Sequence, residues 1–302
     1  MLCGKELNAY TAAGIRSDHE CSNIAEAKEK LSRGQWIMIR EGTAAKNLQE
    51  LMPLFEAPYY NRILLVTDDK HPLDLLNDGH IDAIIRKAVH LGADPIRAIK
   101  AGSLNAATYF GLRDTGAIAP GYDADIVVLN DLTDLHVQEV YKQGTLISER
   151  GQITTAVNSN TDSIPERVIH SFHVEKITPA QLVIPKQGEH IRVIELHAGE
   201  LLTSERTASW NTDTSAKDWA DGINPDDDII KIVAIERHKN TGHLGKGFLG
   251  GYGLKKGAVA TSIGHDSHNL VVAGTNDTDI AIAANAVIEA EGGLAIACQG
   301  EL

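Results

Sequence analysis

Several features that mark common classes of protein are scarce in this 302-residue sequence. Aromatic residues make up only 5% of it, too few for the stacking surfaces that bind single-stranded nucleic acid. Its 28 basic against 41 acidic side chains give a net charge of −13, which repels nucleic acids and anionic membranes. No apolar run approaches the roughly 20 residues that span a bilayer. We therefore expect neither a nucleic-acid partner nor a membrane partner.

Cysteine is also rare. Cys3, Cys21 and Cys298 are an odd number without a C-x-x-C pair, which argues against a disulfide framework and against a thiolate zinc site. The beginning of the chain lacks a basic-then-apolar signal segment, and the cysteine usage fits a reducing cytoplasm. The H-x-H, H-E-x-x-H, G-x-S-x-G and P-loop patterns are missing. "GKGFLG" (245–250) matches G-x-G-x-x-G, but a polar stretch precedes it and more glycines and a strand follow it, so we interpret it as a flexible loop or lid.

Helix and strand patterns alternate through the first third of the chain. The strands "WIMIR" (36–40) and "RILLVT" (62–67) have no polar face, as in sheets that are covered on both sides. Helical patterns surround them, for example "SNIAEAKEKLSRG" and "GHIDAIIRKAVHLG". This alternation predicts parallel pairing with right-handed crossovers, in a doubly wound sheet or in a (β/α)8 barrel. The pattern supports about three strands, which for a barrel is only a part.

The pattern changes after Gly116. A strand in "GYDADIVVLN" and a hairpin turning at Gln143-Gly144 predict a small antiparallel unit, followed by a polar stretch at 151–163. Period-two alternation then predicts strands at "FHVEKI", "QLVIP", "IRVIEL" and "IIKIVAIERH", with a helix at "DTDIAIAANAVIEAEGG". We expect three parts: residues 1–117 as α/β, 118–155 as an antiparallel piece, and 160–302 as a mostly antiparallel α+β domain.

Polar side chains follow two of the predicted parallel strands. His19-Glu20 in "GIRSDHE" and Asp68-Asp69 in "LLVTDD" fall at carboxyl ends of strands, where α/β enzymes place their chemistry. An imidazole nitrogen with carboxylate oxygens suits a divalent metal of the zinc or manganese type. From local sequence alone, a surface-loop histidine and acids that cap a helix or turn stay open as the alternative.

A second concentration of reactive groups is "SIGHDSHN" (262–269). It holds His265 and His268 three residues apart, with Asp266 between them. In a turn the two imidazoles could share one ion or form an acid/base pair. A polar hairpin without chemistry stays open.

These motifs together resemble the adenine deaminase family of the amidohydrolase superfamily. The resemblance rests on "LNAYTAAGIRSDHE", "LLVTDD", "GAIAPGYDADIVVL" and "GAVATSIGHDSHNLVVAGTND", and it runs from about residue 4 to the end. It implies a (β/α)8 barrel, of which residues 1–117 would be about the last three strands, and a β-sandwich segment at 118–155. Residues 160–302 would be an incomplete C-terminal domain of the family.

The resemblance also implies a chemistry. It implies hydrolysis of adenine to hypoxanthine and ammonia at a divalent metal, manganese first, with iron or zinc as alternatives. By position, His19 and Asp68 resemble metal ligands, with Asp68 also transferring protons, and Glu20 a proton-transfer or purine-binding group. Four further residues are expected at the substrate less directly: Asp69, His265 as a catalytic group, Asp266 and His268.

The chain departs from the family in one large respect. Family members carry an H-x-H pair, a bridging acid and another histidine before the segment that matches Leu7, and this sequence contains none of these. We therefore expect a fragment that is inactive alone and works as a homo-oligomer or with a missing N-terminal half. Two alternatives stay open: another cyclic amidohydrolase, and a non-catalytic subunit that completes a separate half-barrel.

Overall fold

The computed structural model describes residues 2–154, 164, 169–198, 202–211, 219–264 and 266–302. Contacts within the chain divide it into a first unit, residues 1–159, and a second unit, residues 160–302. In the part of the chain so described, no helix has the length and the apolar character needed to cross a bilayer.

The first unit begins with alternating helices and strands. Its helices are α1 Gly4–Ala12, α2 Ile24–Ser32, α3 Leu48–Leu51, α4 Pro72–Asn77, α5 Ile81–His90, α6 Pro95–Gly102 and α7 Leu104–Phe110. Its strands are β1 Ser17–Asp18, β2 Trp36–Arg40, β3 Ile63–Val66, β4 Ile126–Leu129, β5 Val137–Lys142, β6 Thr145–Glu149 and β7 Gln152–Ile153.

The strands β1, β2 and β3 form a parallel sheet with β2 in the centre. Asp18 lies opposite Ile37, and Arg40 lies opposite Val66, so the three strands end at one edge of the sheet. Helices α2, α5 and α6 pack on this sheet, and the apolar core between helices and sheet is almost wholly inaccessible to solvent. The parallel arrangement predicted from the apolar strands is therefore present.

Local sequence explains where several of these helices begin. Asn23 caps α2 by accepting the backbone N–H of Glu26. Asp94 caps α6 by accepting the N–H of Arg97, and Pro95 occupies the first helical position, where no N–H is needed.

The strands β4 to β7 form an antiparallel sheet in chain order. The β5–β6 hairpin turns at Gln143 and Gly144, whose φ angles of 48° and 76° are the left-handed values that a two-residue hairpin turn requires. The antiparallel piece expected after Gly116 is thus built from consecutive hairpins.

The second unit consists of one large sheet and a helix. Its strands are β8 His190–Glu195, β9 Ser204–Ser209, β10 Ile230–Ile235, β11 Leu244–Gly250, β12 Ala258–Thr261, β13 Leu270–Gly274 and β14 Leu294–Ala297. The order across the sheet is β14-β12-β13-β10-β11-β8-β9, and every neighbouring pair is antiparallel except β8 with β11. Helix α8, Asp277–Glu289, packs on β12, β13 and β14.

Three local expectations in the second unit are wrong. The segment "FHVEKI" forms no strand: its alternate apolar residues pack on the core, while Asn285 of α8 bonds both backbone polar groups of Ile177. In "QLVIP" a capping box between Thr178 and Gln181 begins a short 3-10 helix at Pro179. "GKGFLG" is not a loop, because it lies inside β11.

The helices and sheets of the first unit agree with an α/β fold. The partial barrel and the division at residues 117 and 118 stay predictions.

Candidate metal centre

The site predicted from the strand ends lies at the carboxyl edge of the parallel sheet. His19 and Glu20 follow β1 directly, and Asp68 follows β3 after one intervening residue. Because parallel strands begin at one edge and end at the other, residues far apart in sequence meet here. Asp68 has a φ of 51°, so the chain turns sharply as β3 ends.

The structure brings His19, Glu20 and Asp68 together. Each offers one ligand atom, and these atoms lie within 4.8 Å of one another. The Nε2 atom of His19 is 3.2 Å from Oε1 of Glu20, and about half of each of these two side chains is exposed to solvent. An open group of one imidazole and two carboxylates fits a zinc, iron or manganese ion by its donor types. We call these three residues the tip cluster.

A fourth residue at this edge, Arg40, was not predicted. Its side chain is 4% exposed, and its guanidinium meets Glu20 through Nη1–Oε1 at 2.9 Å and Nη2–Oε2 at 3.0 Å. The same Nη1 forms an ion pair with Asp68. The sequence held one indication of this role, since Arg40 is the charged end of the otherwise apolar "WIMIR".

Asp69 turns away from the tip cluster. Its Oδ2 accepts the backbone N–H of Ala44 at 2.8 Å, and a Cβ atom at Gly42 would lie 1.6 Å from its Oδ1. Only glycine therefore fits at position 42. The Asp69 carboxylate supports the loop after β2, and its predicted contact with substrate stays a prediction.

A second group of possible ligands lies beside the first. Asp18, Cys21 and Glu26 also offer ligand atoms within 4.8 Å of one another, but the ammonium of Lys30 sits among them. Lys30 pairs with Asp18, donates to Glu26 Oε1 at 2.6 Å and lies 3.8 Å from the Cys21 sulfur. We call these four residues the Lys30 cluster.

The electrostatics of the Lys30 cluster are those of a closed ion pair. Burial on its own lowers the pKa of Lys30, but hydrogen bonds to Asp18 and Glu26 raise it above its ordinary value. Burial likewise acts to raise the pKa of Asp18, and the bonds from Lys30 and from the N–H of Glu20 bring it below its ordinary value. Burial raises the pKa of the Cys21 thiol far above the usual range.

The Lys30 cluster also supports the tip cluster. Asp18 Oδ1 accepts the N–H of Glu20 at 2.8 Å, which fixes the turn that carries His19. Asn47 donates to the backbone oxygens of His19 and Cys21 from the loop after β2. The backbone of the turn is thus held from two sides.

The tail motif belongs to the second unit, and His265 lies outside the described residues. Asp266 and His268 have left-handed φ angles of 70° and 51°. Arg237 donates to the oxygen of His268 at 2.6 Å, and His238 Nε2 donates to the oxygen of Ser267 at 2.9 Å. These bonds hold the backbone of the turn, and the expected roles of His265, Asp266 and His268 stay predictions.

Known families match most of the chain. Residues 4–147 match the family model for the amidohydrolase family, and residues 200–302 match the adenine deaminase C-terminal domain. An adenine deaminase of Kosmotoga olearia is 45% identical over 301 residues, which are 100% of this chain and 51% of that protein. One from Dehalococcoides mccartyi strain BAV1 is 44% identical, over 100% of this chain and 52% of that protein.

Solved structures resemble the chain only in part. A beta-aspartyl dipeptidase of Fervidobacterium islandicum AW-1 is 21% identical with a TM-score of 0.36, over 43% of this chain and 36% of that chain. An amidohydrolase of Thermotoga maritima MSB8 is 24% identical with a TM-score of 0.28, over 44% of this chain and 43% of that chain.

The chain spans about half the length of the relatives that it matches. The two family models match it on either side of residues 148–199, and the relatives match it throughout. Its first part thus matches the amidohydrolase family, its last part matches the adenine deaminase C-terminal domain, and along its whole length the chain is similar to adenine deaminases.

Proposed function

We propose that this chain provides part of an adenine deaminase site, which converts adenine and water to hypoxanthine and ammonia. The observation that carries the proposal is the meeting of His19, Glu20 and Asp68 at one edge of a parallel sheet. The chain's relatives, which are adenine deaminases, support the choice of substrate.

Each residue of the tip cluster has a distinct task in this proposal. A ring nitrogen of His19 and the carboxylate of Asp68 would hold a divalent cation, manganese first, with iron or zinc as alternatives. When bound, such a cation supplies a coordinated water whose pKa falls towards about 7. Asp68 would accept a proton from the attacking water and give it to the departing amino group. Glu20 holds the purine through a ring nitrogen.

The atoms balance in this scheme. The water oxygen forms a bond to the purine carbon that bears the amino group, and the bond from that carbon to the amino nitrogen then breaks. The nitrogen leaves as ammonia with the proton that Asp68 carried, and the second proton of the water ends on the ring nitrogen beside that carbon, which gives hypoxanthine. A carboxylate suits this shuttle because it accepts and returns a proton without leaving its place.

We further propose that hydrolysis needs ligands from beyond this chain. In the described first unit, β1 and β3 each pair on one side only, so the parallel sheet has two open edges that could continue into a barrel. The tip cluster offers three donor side chains, and the relatives are about twice as long. We propose that the chain works in the cytoplasm, either as a homo-oligomer or together with a separate first half.

Ammonia release tests the proposal. The 302-residue chain, with adenine and Mn²⁺, is assayed alone and after co-expression with the half of the Kosmotoga olearia relative that precedes the matched segment. We expect no turnover alone and adenine-dependent ammonia from the pair. Asp68→Asn should abolish it, whereas Asp123→Asn, an exposed aspartate before β4, should not.

Two outcomes contradict the proposal. Turnover by the chain alone at the rate of the pair would show that no further ligands are needed. A folded pair that releases no ammonia from adenine would exclude the deaminase, and co-purification of an inactive pair would favour a non-catalytic subunit.

A further inference from the structure

Arg40 pairs with two of the three residues of the tip cluster, and the proposed function gives it no task. It ends the central strand β2, and its side chain is buried between residues that follow β1 and β3. A charge that is removed from water in this way is costly unless it is paired and hydrogen-bonded. The fold therefore retains Arg40 with its two carboxylates as one unit.

The geometry of the ion pairs is specific to a guanidinium. Nη1 and Nη2 meet the two oxygens of Glu20 in parallel, at 2.9 and 3.0 Å, which is the bidentate fork that a lysine cannot form. Nη1 also reaches Asp68, so a single group joins the turn after β1 to the turn after β3. The backbone N–H of Arg40 is itself held by Oδ1 of Asn47 at 2.7 Å.

Glu20 transmits this constraint to the imidazole. Both of its oxygens are held by Arg40, and its Oε1 is 3.2 Å from Nε2 of His19. A carboxylate in contact with one ring nitrogen sets the orientation and tautomer of a histidine that binds metal through the other. Arg40 thus contacts one predicted cation ligand directly and the other through Glu20.

We propose that Arg40 is the positioning residue of this site: its guanidinium clamps Glu20 and Asp68 so that His19 and Asp68 are held ready for a divalent cation. The clamp rests on the proposed function. It assigns Glu20 to orientation and substrate contact rather than to the cation, because both of its oxygens are engaged by the arginine. The clamp also explains why the buried guanidinium of Arg40 lies beside a proposed site for a divalent cation.

Mn²⁺ binding to the 302-residue chain, followed by the electron paramagnetic resonance of free Mn²⁺, tests the clamp without any turnover. Arg40→Lys keeps the charge but loses the fork, and Arg40→Gln loses both. We expect the dissociation constant to rise about 10- to 100-fold in each, the range seen when partners that orient metal ligands are removed. Lys87→Gln is the matched control, because it removes a neighbouring cation that pairs with Glu41, and it should change binding less than about twofold.

A second arm separates positioning from a merely structural role. If Arg40 acts through Asp68, Arg40→Gln should add less than about a threefold loss in an Asp68→Asn background. Thermal unfolding identifies variants that do not fold. If Arg40→Gln does not fold, Arg40→Lys is used in its place. Unchanged or tighter Mn²⁺ binding in folded Arg40 variants would overturn the clamp, as would an equal loss in both backgrounds.

The outcomes for the clamp and for the deaminase are distinct. Binding of Mn²⁺ that depends on Arg40, without ammonia release from the co-expressed pair, would remove the adenine assignment and leave the clamp in place. Ammonia release that is unchanged in Arg40→Lys would remove the clamp and leave the deaminase. No Mn²⁺ binding by the unsubstituted chain at millimolar concentration would overturn the clamp as part of a cation site.

Discussion

The tip cluster and the Lys30 cluster are neighbours, and both gather metal-ligand atoms within 4.8 Å. They differ in what lies among those atoms. In the Lys30 cluster the ammonium of Lys30 sits among buried side chains and bonds to Asp18 and Glu26. In the tip cluster Arg40 approaches from the buried side, and the imidazole and Glu20 remain about half exposed.

This difference shows that a short distance between donors does not by itself make a metal site. The Lys30 cluster already contains its own cation, and a metal would have to displace a buried lysine and deprotonate a thiol whose pKa is raised by burial. The tip cluster is reachable from solvent, and its arginine supports the donors rather than enclosing them. Of these two clusters, we therefore propose the tip cluster as the cation site.

The largest expected effect is on metal affinity. Asp68→Asn removes a charged ligand and should weaken Mn²⁺ binding by about 100-fold, since metal sites lose 10- to 100-fold even when only an orienting partner is removed. Cys21→Ser, in the Lys30 cluster, should leave binding unchanged. Titration of both variants with Mn²⁺ measures these affinities. A loss of binding in Cys21→Ser would place the ion in the Lys30 cluster and contradict the proposal.

The next largest effect is on stability. Lys30→Met leaves the largely buried carboxylates of Asp18 and Glu26 without their cation, and should lower the free energy of unfolding by about 3 kcal/mol. Lys176→Met removes an exposed pair with Glu289 and should cost about 1 kcal/mol or less. Urea unfolding measures both, and equal losses would contradict the closed ion pair.

The same pair predicts how stability depends on pH. The folded pKa of Asp18 is lowered, so its contribution is present above the ordinary value of 3.8 and is lost as the pH falls through the folded pKa. The pKa of Lys30 is raised, so its contribution is present below 10.5 and is lost only as the pH rises beyond that value. The stability difference between the parent chain and Lys30→Met should be constant near neutrality and shrink at both extremes. A difference that changes between about pH 6 and 8 would implicate other groups.

The smallest effect concerns thiol reactivity. Cys21 is buried with a raised pKa, whereas Cys3 and Cys298 are exposed. An alkylating reagent at about pH 8 should modify Cys3 and Cys298 in the folded chain and Cys21 only after unfolding, because the thiolate is the reactive form. Peptide mass mapping reads this out, and rapid labelling of Cys21 would show that the Lys30 cluster is open.

The sequence allowed the parallel strands, the long helix α5 and the Gln143-Gly144 turn to be predicted, because each depends on local pattern and turn chemistry. It also pointed to His19, Glu20 and Asp68, because the carboxyl ends of parallel strands share an edge. "FHVEKI" shows the limit of such patterns. Its alternation comes from packing against the core. The side chain of Asn285, more than a hundred residues away, bonds the backbone of Ile177, and the backbone of His173 bonds to Arg237 and Asn240.

The site shows the same limit. Arg40 could not be assigned from sequence because its partners are separated from it by 20 and 28 residues, and only the register of β2 with its neighbours brings them together. Asp68 and Asp69 are adjacent in "TDD", and from the sequence we expect Asp68 at the cation and Asp69 at the substrate. The left-handed backbone at Asp68 and the fit of Gly42 against the Asp69 carboxylate direct the two side chains to different places.

The most direct test of the account is the position of the ion. Crystals of the 302-residue chain soaked in MnCl₂ and measured at the manganese absorption edge give an anomalous map of where Mn²⁺ binds. We predict a peak at coordination distance, roughly 2.1 Å, from a ring nitrogen of His19 and an oxygen of Asp68, with Arg40 still bonded to Glu20. A peak among Asp18, Cys21 and Glu26, or density that contacts only one of His19 and Asp68, would contradict it.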